Sequence, residues 1–169
     1  MRPGRFVFPF LWVALFCLPL TGYAAPVGEI TSLTGNVTVT SEGAAPRTVS
    51  AGEPVHVGDV ILTSAHAKAR IDFRNGNVVR VSADSRLKIS EMEETESRSK
   101  GLLSLFRGKI QTVVKRVAGR VFGRDRDARF EVETPTAVCG VRGTRFFSWY
   151  IEGVSGAAVK EGELYGYNK

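Results

Sequence analysis

Residues 67 to 81 alternate too strictly for anything but a hairpin. Ala69, Ile71 and Phe73 are apolar, and Lys68, Arg70, Asp72 and Arg74 fall between and around them. Strand side chains point to opposite faces in turn, so this spelling describes one buried face and one wet face. Asn75-Gly76 follows. It is the strongest short-range signal for a type I′ turn, because both central residues tolerate positive φ. Val79 and Val81 continue beyond it, and a third strand is expected near Leu87 to Ile89. A slip of one residue would turn Ile71 and Phe73 out to water, so the alternation and the turn together pin the register.

The flanking segments read as β as well. Ile30, Leu33, Val37 and Val39 fall about Gly35, with Thr38 and Thr40 facing outward, which describes a short strand after a turn. Ser41 to Pro46 is a polar loop of small residues. Thr48 to Val57 holds Gly52 and Pro54, with Gly58 just beyond, and such punctuation excludes a helix. Gly58-Asp59 then leads into Val60-Ile61-Leu62. A glycine two residues before an apolar strand start recurs at Gly35, Gly108 and Gly162, at irregular spacing. Such turn-then-strand units suit a roll or a solenoid-like stack.

Residues 98 to 129 admit two readings. Leu103, Phe106, Ile110, Val113, Val117 and Val121 fit helical spacing. The competing reading takes Leu103 and Leu105, a turn at Arg107-Gly108, and a strand from Ile110 to Val114. Gly101, Gly108, Gly119 and Gly123 disfavour a continuous helix, as do the β-branched Val113, Val114, Val117 and Val121. The segment is expected to be mostly β. It also carries the main charge asymmetry: ten Lys or Arg against Asp125 and Asp127, preceded by four glutamates between Glu91 and Glu96. One reading is a solvated face balanced by those glutamates. The functional one is a polyanion contact through Lys109, Lys115, Arg116 and Arg120, with peptidoglycan or lipopolysaccharide as partner. Nucleic acid is not an expected partner, since binding it calls for aromatic platforms or a reading helix.

The segment Thr134-Pro135-Thr136-Ala137-Val138-Cys139-Gly140-Val141-Arg142-Gly143-Thr144-Arg145-Phe146 is the most specific in the chain. Pro135 cannot donate to a ladder and belongs at a strand start or an edge. Gly140 and Gly143 at this spacing mark a bend, a bulge or a close approach of backbones. Arg142 lies between them, and two readings are open for it. As a partner contact it is presented on the bend together with Thr134, Pro135, Thr136, Gly140, Gly143 and Thr144. As a buried arginine it ties strands together through carbonyls or an acid such as Asp59 or Glu133. Phe146, Phe147, Trp149 and Tyr150 follow, either as core or as a partner surface.

The pattern T-P-T-A-V-x-G-V-R-G-T-x-F resembles the signature of the FecR-type domain. Upstream, Val57-Gly58-Asp59-Val60-Ile61-Leu62-Thr63, the run from Ala67 to Val81, and Ser85-Arg86-Leu87-Lys88-Ile89 are similar to that family's pattern in the same order. The resemblance covers about residues 53 to 150. It implies a compact, single, all-β domain of short strands with a twisted, solenoid-like core. It also implies a periplasmic sensor module. In the family's best-known architecture this module takes a signal from an outer-membrane receptor and passes it to a sigma factor, through a membrane span and a cytoplasmic anti-sigma part. Here a targeting segment stands where the cytoplasmic part is expected.

That segment is residues 1–24, read as a signal peptide. Arg2 and Arg5 precede an uncharged, mostly apolar run from Phe6 to Leu20, and Gly22-Tyr23-Ala24 places small residues where a signal peptidase inspects them. The run is short for a span and holds Pro9 and Pro19, so no stable transmembrane anchor is expected after processing. Residues 25–169 are then one exported domain, periplasmic or secreted, and loss of Arg2 and Arg5 lowers the formal charge from +6 to +4. Cys17 leaves with the signal, so Cys139 remains alone without an internal disulfide, and is read as a small buried side chain. No catalytic, cofactor or metal site is read: His56 and His66 have no partner at ligand spacing, and no nucleophile elbow or phosphate loop is present. The function expected is non-enzymatic binding to an envelope protein, a receptor or a regulator. The alternative is a scaffold module on an anionic envelope polymer.

Overall fold

A computed structural model of the chain describes residues 25–94, 99–115 and 128–169, with the backbone alone at Ser99, Ala128 and Arg142. The described residues form twelve strands and no helix, so the fold is all-β as the alternation requires. Seven short strands come first: β1 (Gly28–Thr34), β2 (Val37–Thr40), β3 (Arg47–Thr48), β4 (Glu53–Val55), β5 (Val60–Thr63), β6 (Lys68–Phe73) and β7 (Val78–Val81). They are followed by β8 (Arg86–Glu94), β9 (Ser99–Val113), β10 (Ala128–Glu133), β11 (Ala137–Ile151) and β12 (Val154–Asn168). Strands β9, β11 and β12 each run for 15 residues, well beyond the short units expected.

Strand β9 organises the rest. Its residues 99–104 lie between β8 and a parallel β10, and its residues 108–113 lie between β7 and β11. The first half therefore belongs to a wing ordered β3-β2-β5-β8-β9-β10, and the second half to a wing ordered β4-β1-β6-β7-β9-β11. The strand bends between the two at Gly108, whose φ is 93°. A Cβ there would stand 2.1 Å from the Ser85 hydroxyl, so only glycine lets the strands approach. The expected turn at Arg107-Gly108 is instead this bend: the chain does not reverse, because the strands on either side hold both halves.

Both wings turn their apolar faces into one core. Leu87, Leu103 and Leu105 come from the first wing and Ile71, Ile110 and Phe146 from the second, all fully buried. Each such side chain stabilises the fold by roughly 1.5–3 kcal/mol relative to exposure.

The hairpin β6–β7 has the expected register, with Ala69 opposite Val81 and Ile71 opposite Val79. Its turn is not type I′. Gly76 alone has positive φ, 79°, and the Phe73 amide donates to the Asn77 carbonyl at 2.9 Å. Arg74-Asn75-Gly76 is thus a three-residue loop ending in a left-handed glycine. Asn75 keeps a negative φ because its side-chain oxygen accepts from the Asn77 amide at 3.0 Å, a local bond that favours the three-residue loop. The mirror-image turn occurs elsewhere, at Glu152 (φ 49°) and Gly153 (φ 83°), joining Ile151 to Val154. Gly35 and Gly162 also have positive φ, 73° and 99°, so all three recurring glycines mark real changes of direction.

Within 98–129 the described part is strand and not helix. Val117 and Val121 lie outside the described residues, as does the segment 1–24. Among the described residues no helix is long and apolar enough to cross a membrane.

Candidate functional site

The segment from Thr134 builds the end of the fold where the two wings meet. Thr134 is buried, and its hydroxyl donates to the Ala137 carbonyl and accepts from the Ala137 amide, both at 3.0 Å. That closes the tight turn over Pro135-Thr136, where the missing N–H of proline is not needed. The Thr134 hydroxyl also meets that of Ser155 at 2.6 Å, and Ser155 in turn meets Thr136. Ser155 sits at the far tip of the β11–β12 hairpin, so the hairpin doubles back until its tip touches its base.

The doubling is made by paired bulges. Arg142 pairs with Glu163 and Arg145 with Glu161, so β11 carries an extra residue; Phe146 pairs with Val159, so β12 then carries one. Gly143 (φ 56°) and Gly162 (φ 99°) occupy the two bends. An odd insertion swaps the faces of a strand. Before the bend Val141 is the core residue of β11; after it Phe146 and Ser148 are buried. The strand thereby keeps one face on the core through both wings. Thr144 fixes the bend: it is buried, and its hydroxyl donates to the Glu163 carbonyl at 2.9 Å.

Gly140 answers to a different demand. A Cβ on it would stand 2.1 Å from Cζ, 2.3 Å from Cε2 and 2.4 Å from the hydroxyl oxygen of Tyr165. Three such similar distances put the ring face over the glycine. Trp149 and Gly156 repeat the arrangement with the strands exchanged: indole Cζ2, Cε2 and Nε1 lie 2.1, 2.2 and 2.6 Å from the Gly156 Cβ position. Cross-strand aromatic–glycine pairs of this kind fill the gap a glycine leaves in a sheet.

Of the predicted contact residues, Thr134, Pro135 and Thr136 form the turn, Gly143 and Thr144 the bend, and Gly140 lies between them against Tyr165. Arg142 lies in β11 opposite Glu163, and its side chain is outside the described residues. The two acids proposed for it have other work. Asp59, buried, accepts from the Ser41 hydroxyl at 2.6 Å and the His56 amide at 2.8 Å, while Glu133 takes Lys169.

Of the predicted polyanion residues, the two that are described, Lys109 and Lys115, occupy different places. Lys109 lies on the outer face of the second wing, with its ammonium 5.1 Å from the Phe147 ring centroid. Lys115 is at the β6–β7 turn, where its amide donates to Asn77 Oδ1 at 3.0 Å and its alkyl chain covers Gly76. Arg116 and Arg120 fall outside the described residues. The acidic run is partly balanced in space, since Glu91 holds Lys100 at 2.7 Å. The aromatic run divides: Phe146 is core, whereas Phe147 and Trp149 face outward beside Gln111 and Lys109. Alternation separates the two phenylalanines, and the parity change at Gly143 decides which of them is core; the glycine spacing marks a bulge but not its size.

Cys139, read from the sequence as buried, is only partly so, and that partial burial pushes its thiol above its usual range. Among the described residues no group of three His, Cys, Asp or Glu is placed to hold a metal ion.

An all-β module held by a turn-and-bend signature is the class these features define. The FecR protein family model matches residues 59–164, and the chain belongs to that family. No curated protein matches it. Among solved structures it is similar to a crystal structure described as an anti-sigma factor from Parabacteroides distasonis ATCC 8503, with 19% identity and a TM-score of 0.50. That similarity covers 63% of this chain and 46% of the other, so this chain spans about half of its length. A structure described as a cell surface anchoring domain matches 37% of this chain and 83% of its own, with 33% identity and a TM-score of 0.36.

Proposed function

We propose that the chain is an exported, non-enzymatic regulatory module that acts by binding a protein partner in the cell envelope. Its membership of the FecR family supports a part in signalling. The observation that carries the binding mode is β12. Among the described residues this 15-residue strand pairs only with β11, so its outer edge offers unpaired amides and carbonyls. Val154, Val159, Tyr165 and Tyr167 stand exposed along it. An extended segment of a partner can add to such an edge, with backbone bonds supplying affinity and alternate side chains supplying selectivity. Other free edges, at β3 and β4, are two and three residues long and too short for this.

A photo-crosslinking side chain placed at Val159, compared in cells with one at the similarly exposed Val57, tests the reading. A discrete protein adduct from position 159 that survives raised salt, and none from 57, is the expected result. Absence of any protein adduct at 159 rejects strand addition.

A further inference from the structure

The outer face of the second wing carries a feature that partner binding at β12 leaves unused. Arg70, Arg80, Gln111 and Phe147 stand in one row across β6, β7, β9 and β11, each opposite the next in register. Lys109 and Trp149 form the adjoining row. Two aspects are costly without a ligand. Arg70 and Arg80 are directly opposite, and like charges so placed repel. Arg70 is answered by Asp72 at 2.7 Å, but among the described residues Arg80 bonds only the neutral Gln111, at 3.2 Å. Lys109 rests on Phe147 with no carboxylate bonded to it among the described residues. The other acids on this face stand further off: Glu29 lies beyond β6, opposite Asp72, and Glu161 lies beyond β11, opposite Arg145.

The second aspect is the indole. With Gly156 beneath it, Trp149 lies with one ring face on the sheet, which leaves the opposite face turned away from it. A flat aromatic surface beside cations on a rigid sheet suits a ligand that is itself flat-faced and anionic along its length. We infer that this face binds an acidic polysaccharide, whose sugar rings stack on Trp149 and whose carboxylates meet Lys109 and Arg80. An acidic protein strand would supply the charge but no regular succession of rings for the indole, so the saccharide fits both halves of the site. This goes beyond the protein partner proposed above and uses a different surface.

The chain holds two tryptophans, Trp12 and Trp149, so the full chain carrying Trp12→Phe has a single reporter at the site. Titration with polygalacturonate, a plain uronate polymer, is expected to change Trp149 fluorescence saturably. The change is expected to reverse as salt rises and to be absent with neutral dextran. The double variant Arg80→Glu, Lys109→Glu changes two outer-face side chains outside the core, and is expected to keep its melting temperature within a few degrees while binding at least tenfold more weakly. Two results would overturn the inference: no response to polygalacturonate at low salt, or charge reversal without effect on binding. An equal response to poly-L-glutamate would also overturn it, since it would show a face that reads charge alone and takes an acidic protein.

Discussion

The hydroxyls of Thr134 and Ser155 meet at 2.6 Å although 21 residues separate them. The contact joins the base of the β11–β12 hairpin to its tip. Each hydroxyl has one proton. Thr134 gives its proton to the Ala137 carbonyl, so Ser155 donates to Thr134 and accepts from Thr136. The chain of bonds has a single direction, and removing its middle member leaves the buried Thr134 oxygen with the Ala137 amide alone as donor.

Thr134→Val keeps the shape and removes the oxygen. A buried hydrogen-bonding group lost in this way costs about 1–3 kcal/mol. Denaturant unfolding should show a loss in that range, whereas Thr136→Val, at an exposed position, should cost much less.

Gly140→Ala drives a methyl into the face of Tyr165. The ring is half exposed and can swing aside, so the cost should lie at or below the low end of the about 1–3 kcal/mol that overpacking costs in a core. In the double variant with Tyr165→Ala the two losses should fall short of adding, because the second change removes the obstacle created by the first. A strictly additive cycle would show that the ring does not rest on the glycine.

Phe146 and Phe147 are adjacent in sequence and differ in role. Phe146→Ala empties a fully buried site and should cost about 3–5 kcal/mol. Phe147→Ala acts on the outer face and should cost well under half as much, read from the shift in midpoint at constant m-value.

Asp59 is buried and accepts two hydrogen bonds, so Asp59→Ala strips the His56 amide and the Ser41 hydroxyl of their acceptor. Bonds to a charged group contribute about 1.5–3 kcal/mol each. The variant should be among the least stable single polar substitutions in a thermal melt.

Cys139 gives a pH signature. Its folded thiol holds the proton more tightly than an unfolded one, since burial disfavours the thiolate. Above the ordinary thiol range, near about 8.5, the unfolded chain releases that proton first. Stability should therefore fall as pH rises through that range towards the raised folded value. Cys139→Ala should abolish that part of the slope, and the wild-type thiol should react with a disulfide reagent more slowly when folded than when denatured.

Local spelling carried much of the fold. The hairpin from Lys68 to Val81 was legible because alternation and a turn agree over a dozen residues. The strand character of residues 99–113 was legible from glycine and β-branched content. Three features were not. The turn at Asn75 depends on one side-chain bond that competes with the mirror-image geometry. The continuity of β9 through Gly108 depends on strands that arrive from elsewhere in the chain. The outward turn of Trp149 depends on the parity change at Gly143, whose size only the partner strand can set. Gly140 was marked as a close approach without its occupant, because Tyr165 comes from 25 residues further on. The candidate site was accordingly visible as a motif, while the aromatic and cationic face beside it was not.

The bend of β9 at Gly108 has a consequence for how the molecule comes apart. One uninterrupted strand is an interior member of both wings, so neither wing owns a complete set of neighbours. Opening one strips half of a strand that the other needs, and the domain has no seam along which it can divide. Heat or denaturant should meet a single all-or-none unit. A proteolytic cut within β9 should release no stable half.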